Sequence, residues 1–222
     1  MDWTAVALSV KLAIIVAALL LVIALPLAYW ITFSRWRGKF LVEAVVALPL
    51  VLPPTVLGFY VLLAIGSRSP VGRMWERWTG HGLAFTFEAL VLASILYSLP
   101  FAVQPIAAAF AQLDTSLMDA AATLGATRWR AFTRVVLPLS LQGIIAGGVL
   151  SFAHTIGEFG VVLMIGGAIP GQTKVMSAAI YDYVETMQWR EANILAGGMV
   201  VFAFAVILTM ILIEKRFART RA

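Results

Sequence analysis

The chain has 222 residues, of which 62% are hydrophobic and only 12% are charged. Globular domains carry roughly 25% charged residues, so this composition excludes an ordinary soluble protein and indicates a membrane protein. The sequence contains no cysteine, which excludes disulfides and thiolate metal sites. The net charge of +5 resides mostly in short loops between apolar stretches, which argues against a nucleic-acid partner.

Five apolar stretches are long enough to cross a bilayer, for which an α-helix needs about 20 residues. Backbone polar groups must be paired in hydrocarbon, and stretches this long are not the short alternating strands of a barrel. The sequence therefore predicts an all-α integral membrane protein with a single transmembrane domain over residues 1–222. The first span is expected to remain uncleaved, because its apolar run is too long for a signal peptide. The predicted spans are residues 6–33, 41–65, 83–110, 141–165 and 194–213.

The loops on the two sides of these spans differ in basic charge. One side carries ten basic residues, namely Arg35, Arg37, Lys39, Arg128, Arg130, Arg134, Lys215, Arg216, Arg219 and Arg221. The other side carries five, namely Arg68, Arg73, Arg77, Lys174 and Arg190. Basic loops face the cytoplasm, so the bias predicts a cytoplasmic C-terminus and an external N-terminus. A flipped topology is the alternative.

Prolines interrupt the second and third predicted spans. Pro49, Pro53 and Pro54 lie in the second, and Pro100 and Pro105 lie in the third. Proline lacks an N–H donor and kinks or breaks a helix. Broken helices are tolerated in membranes where they face protein or a cavity. Pro53 and Pro54 are therefore predicted to belong to a gate or a translocation pathway.

Residues 114–137 are too polar for the bilayer, yet they read as a helix, a turn and a second helix. Ser116 and Asp119 have capping-box spacing, Gly125 suits a left-handed turn, and Pro138 suits the first turn of the next span. Several apolar side chains here need burial, either against the base of the membrane domain or in a groove of a soluble partner. These side chains are Leu117, Leu124, Phe132 and Val135.

The fourth predicted span carries a polar stripe on one helical face. Its members are Gly147, Ser151, His154, Thr155 and Glu158. Polar groups in lipid face a cavity or a neighbouring helix, so the stripe predicts either interhelical packing or the lining of a pathway or gate. Within it, Glu158 is expected to be hydrogen-bonded or protonated by burial. His154 is expected to be a packed polar residue, and no metal ligands are assigned.

Residues 173–187 have amphipathic helical spacing. They predict a re-entrant or interfacial helix, which would be a short sixth membrane element. A platform for an external binding protein is the alternative.

The segment 114–137 resembles the EAA motif of bacterial ABC importer permeases, which is written E-A-A-x3-G-x9-I-x-L-P. It reads DAA at 119–121, Gly125, and VVLP at 135–138, with the spacing of the motif throughout. Two conservative departures are Asp119 for Glu and Val135 for Ile. The resemblance implies that this segment is the coupling helix, which sits in a cleft of a cytoplasmic ATPase subunit. The coupling residues it implies are Asp119, Ala120, Ala121 and Gly125, with Leu124, Arg128 and Phe132 beside them.

Three further stretches, residues 48–63, 156–173 and 177–183, look like those of molybdate transporter permeases, and the similarity runs over nearly the whole chain. The resemblance implies the MetI-like permease fold of ABC importers, a homodimer, two cytoplasmic ATPase subunits that hold ATP and Mg, and an extracytoplasmic oxyanion-binding protein, in a bacterial inner membrane. It also implies inward movement of molybdate. The chain has no phosphate loop of its own, so it is not expected to be the ATPase.

Three alternatives remain at this point. The same architecture could carry tungstate or sulfate, because these are also tetrahedral dianions and a separate binding protein would select among them. An autonomous secondary transporter or channel would show internal repeats, and none is evident. A non-transporting scaffold or sensor has no need for the polar face of the fourth span.

Overall fold

The computed structural model describes residues 2–220, with side chains for all of these except Thr115 and residues 213–220. Arg221, which contributes to the predicted orientation, lies outside the described residues. All regular structure in residues 2–220 is helical. The α-helices in chain order are α1 (Trp3–Phe33), α2 (Lys39–Ala47), α3 (Pro54–Ile65), α4 (Pro70–Thr79), α5 (Phe87–Ala111), α6 (Thr115–Thr123), α7 (Arg128–Ala131), α8 (Leu137–Leu139), α9 (Leu141–Gly157), α10 (Gly160–Gly166), α11 (Met176–Glu185) and α12 (Trp189–Thr220). A 3₁₀ turn (Leu48–Leu50) follows α2, and a π-helical turn (Phe132–Val136) joins α7 to α8.

Three helices of the described chain are long and apolar enough to cross a bilayer unaided: α1, α5 and the Trp189–Leu212 part of α12. Two further pairs of helices reach the required length only if each bent pair counts as one span. The total is then five. This confirms the predicted all-α membrane fold with about five spans.

The second predicted span is broken rather than continuous. Residues Lys39–Leu50 and Pro54–Ile65 meet at an angle of 111°. The break falls at Pro53 and Pro54, and Pro54 is the first residue of α3, where its missing N–H costs little. The predicted proline break is therefore confirmed, whereas a single helix over residues 41–65 is wrong.

The fourth predicted span is also divided. Helix α9 ends at Gly157, Glu158 has an extended backbone (φ −67°, ψ 131°), and α10 begins at Gly160. A continuous helix over residues 141–165 is therefore wrong, and the break lies between Gly157 and Gly160, two glycines that the sequence shows can allow a bend. Pro138 lies inside α8 rather than at the start of the span, which follows Ser140 after a bend of 72°.

The core of the molecule is the packing of α1, α5 and α9. Small residues of α1, including Ala24 and Ala28, are fully buried in this core. The α5–α9 contact is closer still, because Gly143 and Gly147 lie against the backbone of α5. A Cβ at Gly147 would lie 2.7 Å from the carbonyl oxygen of Ala102. Membrane helices associate through such close approach, since lipid gives little hydrophobic drive between them.

Helix α11 covers one end of this core. It has 10 residues, too few to cross a bilayer. The Met176 N–H donates to Ser9 Oγ of α1 at 2.7 Å, and Lys174 pairs with Asp182. The helix predicted for residues 173–187 is thus present, and its anchor to α1 fixes it at the N-terminal end of that helix.

Candidate coupling and gating sites

The coupling segment, residues 114–137, begins with a different cap from the one expected. Asp114 caps α6, and its carboxylate accepts a hydrogen bond from the Ser116 N–H at 2.9 Å. This bond lowers the pKa of Asp114. The predicted capping box with Ser116 as the cap is wrong, because Asp114 is itself a strong N-cap and begins the helix at Thr115.

The turn of the coupling segment matches the sequence prediction. Gly125 has a φ of +75°, in the left-handed region that a residue with a Cβ rarely adopts. Its N–H donates to the Ala122 carbonyl, and the Ala126 N–H donates to the Ala121 carbonyl, each at 2.9 Å. These bonds close the end of α6 and leave Leu124 at the tip of the segment.

The apolar side chains of the segment divide into two groups. Leu124 is 88% exposed and Leu117 is 42% exposed. Phe132 instead packs on Tyr29 of α1, with ring centroids 5.0 Å apart, and Val135 is partly buried. One group therefore packs on the membrane domain, and the other is open to a partner.

The residues predicted to couple to an ATPase lie together around this turn. Most of them are exposed, and Ala121 and Phe132 are partly buried. The exposed ones are Asp119, Ala120, Leu124, Gly125 and Arg128.

The polar stripe of α9 packs against α5, where it meets two buried serines. Ser98 Oγ lies 2.9 Å from Nδ1 of His154 and 3.1 Å from Oγ1 of Thr155. Ser98 and Ser151 are 0% exposed. The residues of this contact are called here the interior polar cluster: Ser94, Ser98, Ser151, His154, Thr155 and Glu158.

His154 is held between aromatic rings. It stacks on Phe101 with centroids 3.9 Å apart and an interplanar angle of 23°, and Tyr97 lies at 4.9 Å. The expectation of a packed polar histidine is confirmed by these contacts.

Glu158 is 3% exposed, and neither carboxyl oxygen has a hydrogen-bond partner among the described atoms. The Ser94 side chain faces the carboxyl group without reaching hydrogen-bond geometry. The Ser177 hydroxyl binds the main-chain carbonyl of Glu158 instead. Of the two expectations for Glu158, the hydrogen bond to the carboxyl group is not met by these contacts, and protonation by burial stays a prediction.

Sequence reasoning missed Ser94 and Ser98. The available signal was their spacing of four residues on an apolar span, which places two hydroxyls on one helical face.

The breaks of the two divided spans touch each other. A Cβ at Gly160, the first residue of α10, would lie 2.8 Å from Cβ of Pro54, the first residue of α3. One turn along α3, a Cβ at Gly58 would lie 3.0 Å from Cβ of Met164. Pro54 thus belongs to a tight contact between two short helices, while Pro53 beside it is exposed.

Comparison with known proteins identifies relatives over nearly the full chain. The model of the family "Binding-protein-dependent transport system inner membrane component" matches residues 21–215. The chain is 49% identical over 210 residues to the molybdenum transport system permease protein ModB of Azotobacter vinelandii, which covers 94% of this chain and 92% of that protein.

Solved structures share the fold at lower identity. A bacterial alginate ABC transporter, solved in complex with an alginate-bound periplasmic protein, superposes with a TM-score of 0.72 at 20% identity, over 96% of this chain and 78% of the other. An inward-facing MetNI methionine ABC transporter gives a TM-score of 0.71 at 18% identity, over 100% and 98% of the two chains.

Proposed function

The chain belongs to the family of binding-protein-dependent transport system inner membrane components, and from this premise we propose that it is the permease subunit of a molybdate ABC importer. The observation that carries the proposal is the 49% identity to a molybdenum permease over 94% of the chain. Molybdate would move inward, with ATP hydrolysed on a separate subunit. As a multi-pass membrane protein, this chain supplies the path.

The proposed assembly is a homodimer of this chain with two cytoplasmic ATPase subunits and an extracytoplasmic oxyanion-binding protein. In it the N-terminus is outside and the C-terminus is in the cytoplasm. ATP and Mg belong to the ATPase, because this sequence has no phosphate loop. The 88% exposure of Leu124 leaves it accessible for an ATPase contact, and its place in the segment that resembles the EAA motif is what supports that contact.

The proposed coupling acts through the turn at Gly125. Movement of α6 would reach the membrane core through Phe132, because its ring packs on Tyr29 of α1. Closure of the ATPase dimer would draw the two coupling segments together and open the permease outward. Reopening after hydrolysis would release the anion inward.

The interior polar cluster is proposed to be a structural lock rather than an anion site. Its face is occupied by α5, and Ser98 already meets His154 and Thr155. A carboxylate at Glu158 repels a dianion, so it is unsuited to bind molybdate. The lock would keep α5 and α9 together while other helices move.

The gate is proposed to lie where the two broken spans meet, at Pro54 and Gly160. Half-helices that end inside the membrane are common at transport sites, because their backbone bends can rearrange. The contact between α3 and α10 is tight but has few polar bonds to break. It is therefore a better candidate for opening than the α5–α9 contact.

The proposal is tested by ATP hydrolysis of this chain reconstituted in lipid with an ATPase subunit and a binding protein. Molybdate, tungstate and sulfate are added separately. We expect stimulation by molybdate. Stimulation chiefly by sulfate or tungstate would keep the architecture and change the substrate. Substrate uptake without an ATPase subunit would favour an autonomous carrier instead.

A further inference from the structure

A pocket of about 870 Å³ lies between the C-terminal end of α1 and the coupling segment. This volume is within the roughly 300–1,000 Å³ of typical ligand sites. Aromatic rings build its walls, and they are braced by one another. Phe132 contacts both Tyr29 and Trp129, with centroid distances of 5.0 and 5.7 Å. The pocket is therefore formed by packed side chains of two separate parts of the chain.

Two arginines line this pocket, Arg35 after α1 and Arg128 at the start of α7. The only carboxylate on its lining is that of Asp119. In the part of the chain whose side chains are described, the one ion pair is that between Lys174 and Asp182. Arg35 and Arg128 therefore have no ion-pair partner in that part of the chain. Two arginines without ion-pair partners against one carboxylate favour an anionic ligand, and arginine suits the geometry of phosphate.

The lining changes from apolar to charged along α1. Pro26 and Tyr29 lie at the inner end, and Arg35 lies just beyond the helix end. The Pro26–Phe33 stretch covers about 10 Å at the helical rise per residue. Trp30 is 39% exposed and Trp129 is 72% exposed at this level. Exposed tryptophans are typical of the boundary between hydrocarbon and headgroups, so the pocket matches the gradient of one lipid leaflet.

We propose that this pocket binds an anionic phospholipid, with its phosphate between Arg35 and Arg128 and its glycerol and upper acyl chain beside Pro26 and Tyr29. The placement in the cytoplasmic leaflet rests on the orientation in the proposed function. Basic pockets between helices on this side of a membrane recognise anionic headgroups. Because the pocket has one wall on α1 and one on the coupling segment, the lipid braces the segment against the membrane domain.

A free phosphate ion and a segment of the ATPase subunit are the competing occupants. A free ion would use the arginines but not the aromatic and proline wall. A protein segment would be absent from the isolated permease. These differences allow the three occupants to be separated with the permease alone and then with the ATPase added.

The test measures motionally restricted spin-labelled phosphatidylglycerol and phosphatidylcholine on the purified full chain in detergent. We expect a preference for phosphatidylglycerol that Arg35→Gln reduces about fivefold, equivalent to about 1 kcal/mol for one basic side chain at an anionic surface. Arg37→Gln is the matched control, because Arg37 is exposed at the same end but does not line the pocket. Asp119→Asn is expected to shift the preference in the opposite direction.

Equal effects of Arg35→Gln and Arg37→Gln would overturn the proposal, since the preference would then reflect general basic charge. Displacement of the lipid by inorganic phosphate at equal concentration would identify a free-anion site. Loss of the restricted phosphatidylglycerol when the ATPase subunit binds would identify a docking site for protein. The measurement uses no molybdate, so a failure of molybdate-stimulated hydrolysis leaves its result unchanged, and its own failure leaves transport untouched.

Discussion

The α5–α9 contact and the coupling segment both place side chains in environments that do not match their polarity. In the first, serine, threonine, histidine and glutamate are buried inside the membrane domain. In the second, Leu117 and Leu124 are exposed outside it. Each arrangement is costly for a chain in isolation. The first is relieved in part within the chain, because Ser98 meets His154 and Thr155, while the carboxyl group of Glu158 has no hydrogen-bond partner among the described atoms. The second is not relieved within the described chain, and it lies where the ATPase contact is proposed.

This difference indicates which part of the molecule can move. A contact closed by backbone approach and buried hydroxyls resists rearrangement, because each broken bond leaves an unpaired polar group. A turn held by a left-handed glycine and flanked by an exposed leucine has few internal contacts to lose. This supports the proposal that the coupling segment transmits movement and that the α5–α9 contact stays rigid.

The largest effect is expected from Gly125→Trp in the coupling segment. Tryptophan disfavours the φ of +75° and places a large ring in open space beside Leu124, where a partner would sit. We expect molybdate-stimulated ATP hydrolysis to fall to the unstimulated level while membrane insertion stays normal. Gly197→Trp on α12 is the control, because open space also surrounds that position without a positive φ. Normal stimulation in the Gly125 variant would remove the coupling assignment.

The next effect concerns the α5–α9 contact. Gly147→Ala would place its Cβ 2.7 Å from a backbone oxygen of α5, which cannot move aside cheaply. We expect the free energy of unfolding to fall by about 3 kcal/mol, at the upper end of the range of roughly 1–3 kcal/mol for overpacking. Thermal unfolding in detergent measures it. Gly157→Ala is a matched control on the same helix, with open space at its Cβ. Equal stability of the two variants would contradict the rigid contact.

Ser98→Ala should have a smaller effect. It removes the hydroxyl that meets His154 Nδ1 and Thr155 Oγ1, although Thr155 keeps its bond to the Ser151 carbonyl at 2.8 Å. We expect a loss of about 1–2 kcal/mol in stability, as for one buried polar group left unpaired. Substrate stimulation of the surviving assembly should remain, since the cluster is a lock. Retained stability with lost stimulation would instead place Ser98 on the transport path.

Glu158→Gln should have the smallest effect. The carboxyl group has no hydrogen-bond partner among the described atoms, so an amide of the same shape loses no bond. We expect the free energy of unfolding and transport to be nearly unchanged. Complete loss of transport in a normally assembled variant would indicate an essential charge at this position.

Much of the fold could be predicted from the sequence because the bilayer imposes a length on each apolar stretch. Pro53 and Pro54 also predicted the break between α2 and α3. At Gly157 the sequence indicated only that a bend was allowed, since glycine permits a turn without requiring one. The turn at Gly125 was predicted, because the chain needed a left-handed residue between two helical stretches.

The candidate sites were predicted less completely. The stripe on α9 was evident from helical periodicity, but its partners Ser94 and Ser98 were not. A single sequence gives the face of each helix and not the register between two helices. The same limit applies at Glu158, where only the packed structure shows that Ser177 bonds to the main-chain carbonyl and not to the carboxyl group.

The proposed contact between the coupling segment and the ATPase subunit is tested most directly by maleimide labelling. The labelled variant is Leu124→Cys, in the permease with and without its ATPase subunit. The sequence contains no cysteine, so the introduced thiol is the only group in this chain that maleimide can label. Ser98→Cys serves as the buried reference. We expect rapid labelling at position 124 in the permease alone, protection when the ATPase binds, and no labelling at position 98 in either state. Equal labelling at position 124 in both states would contradict the assignment of the coupling segment as the ATPase contact.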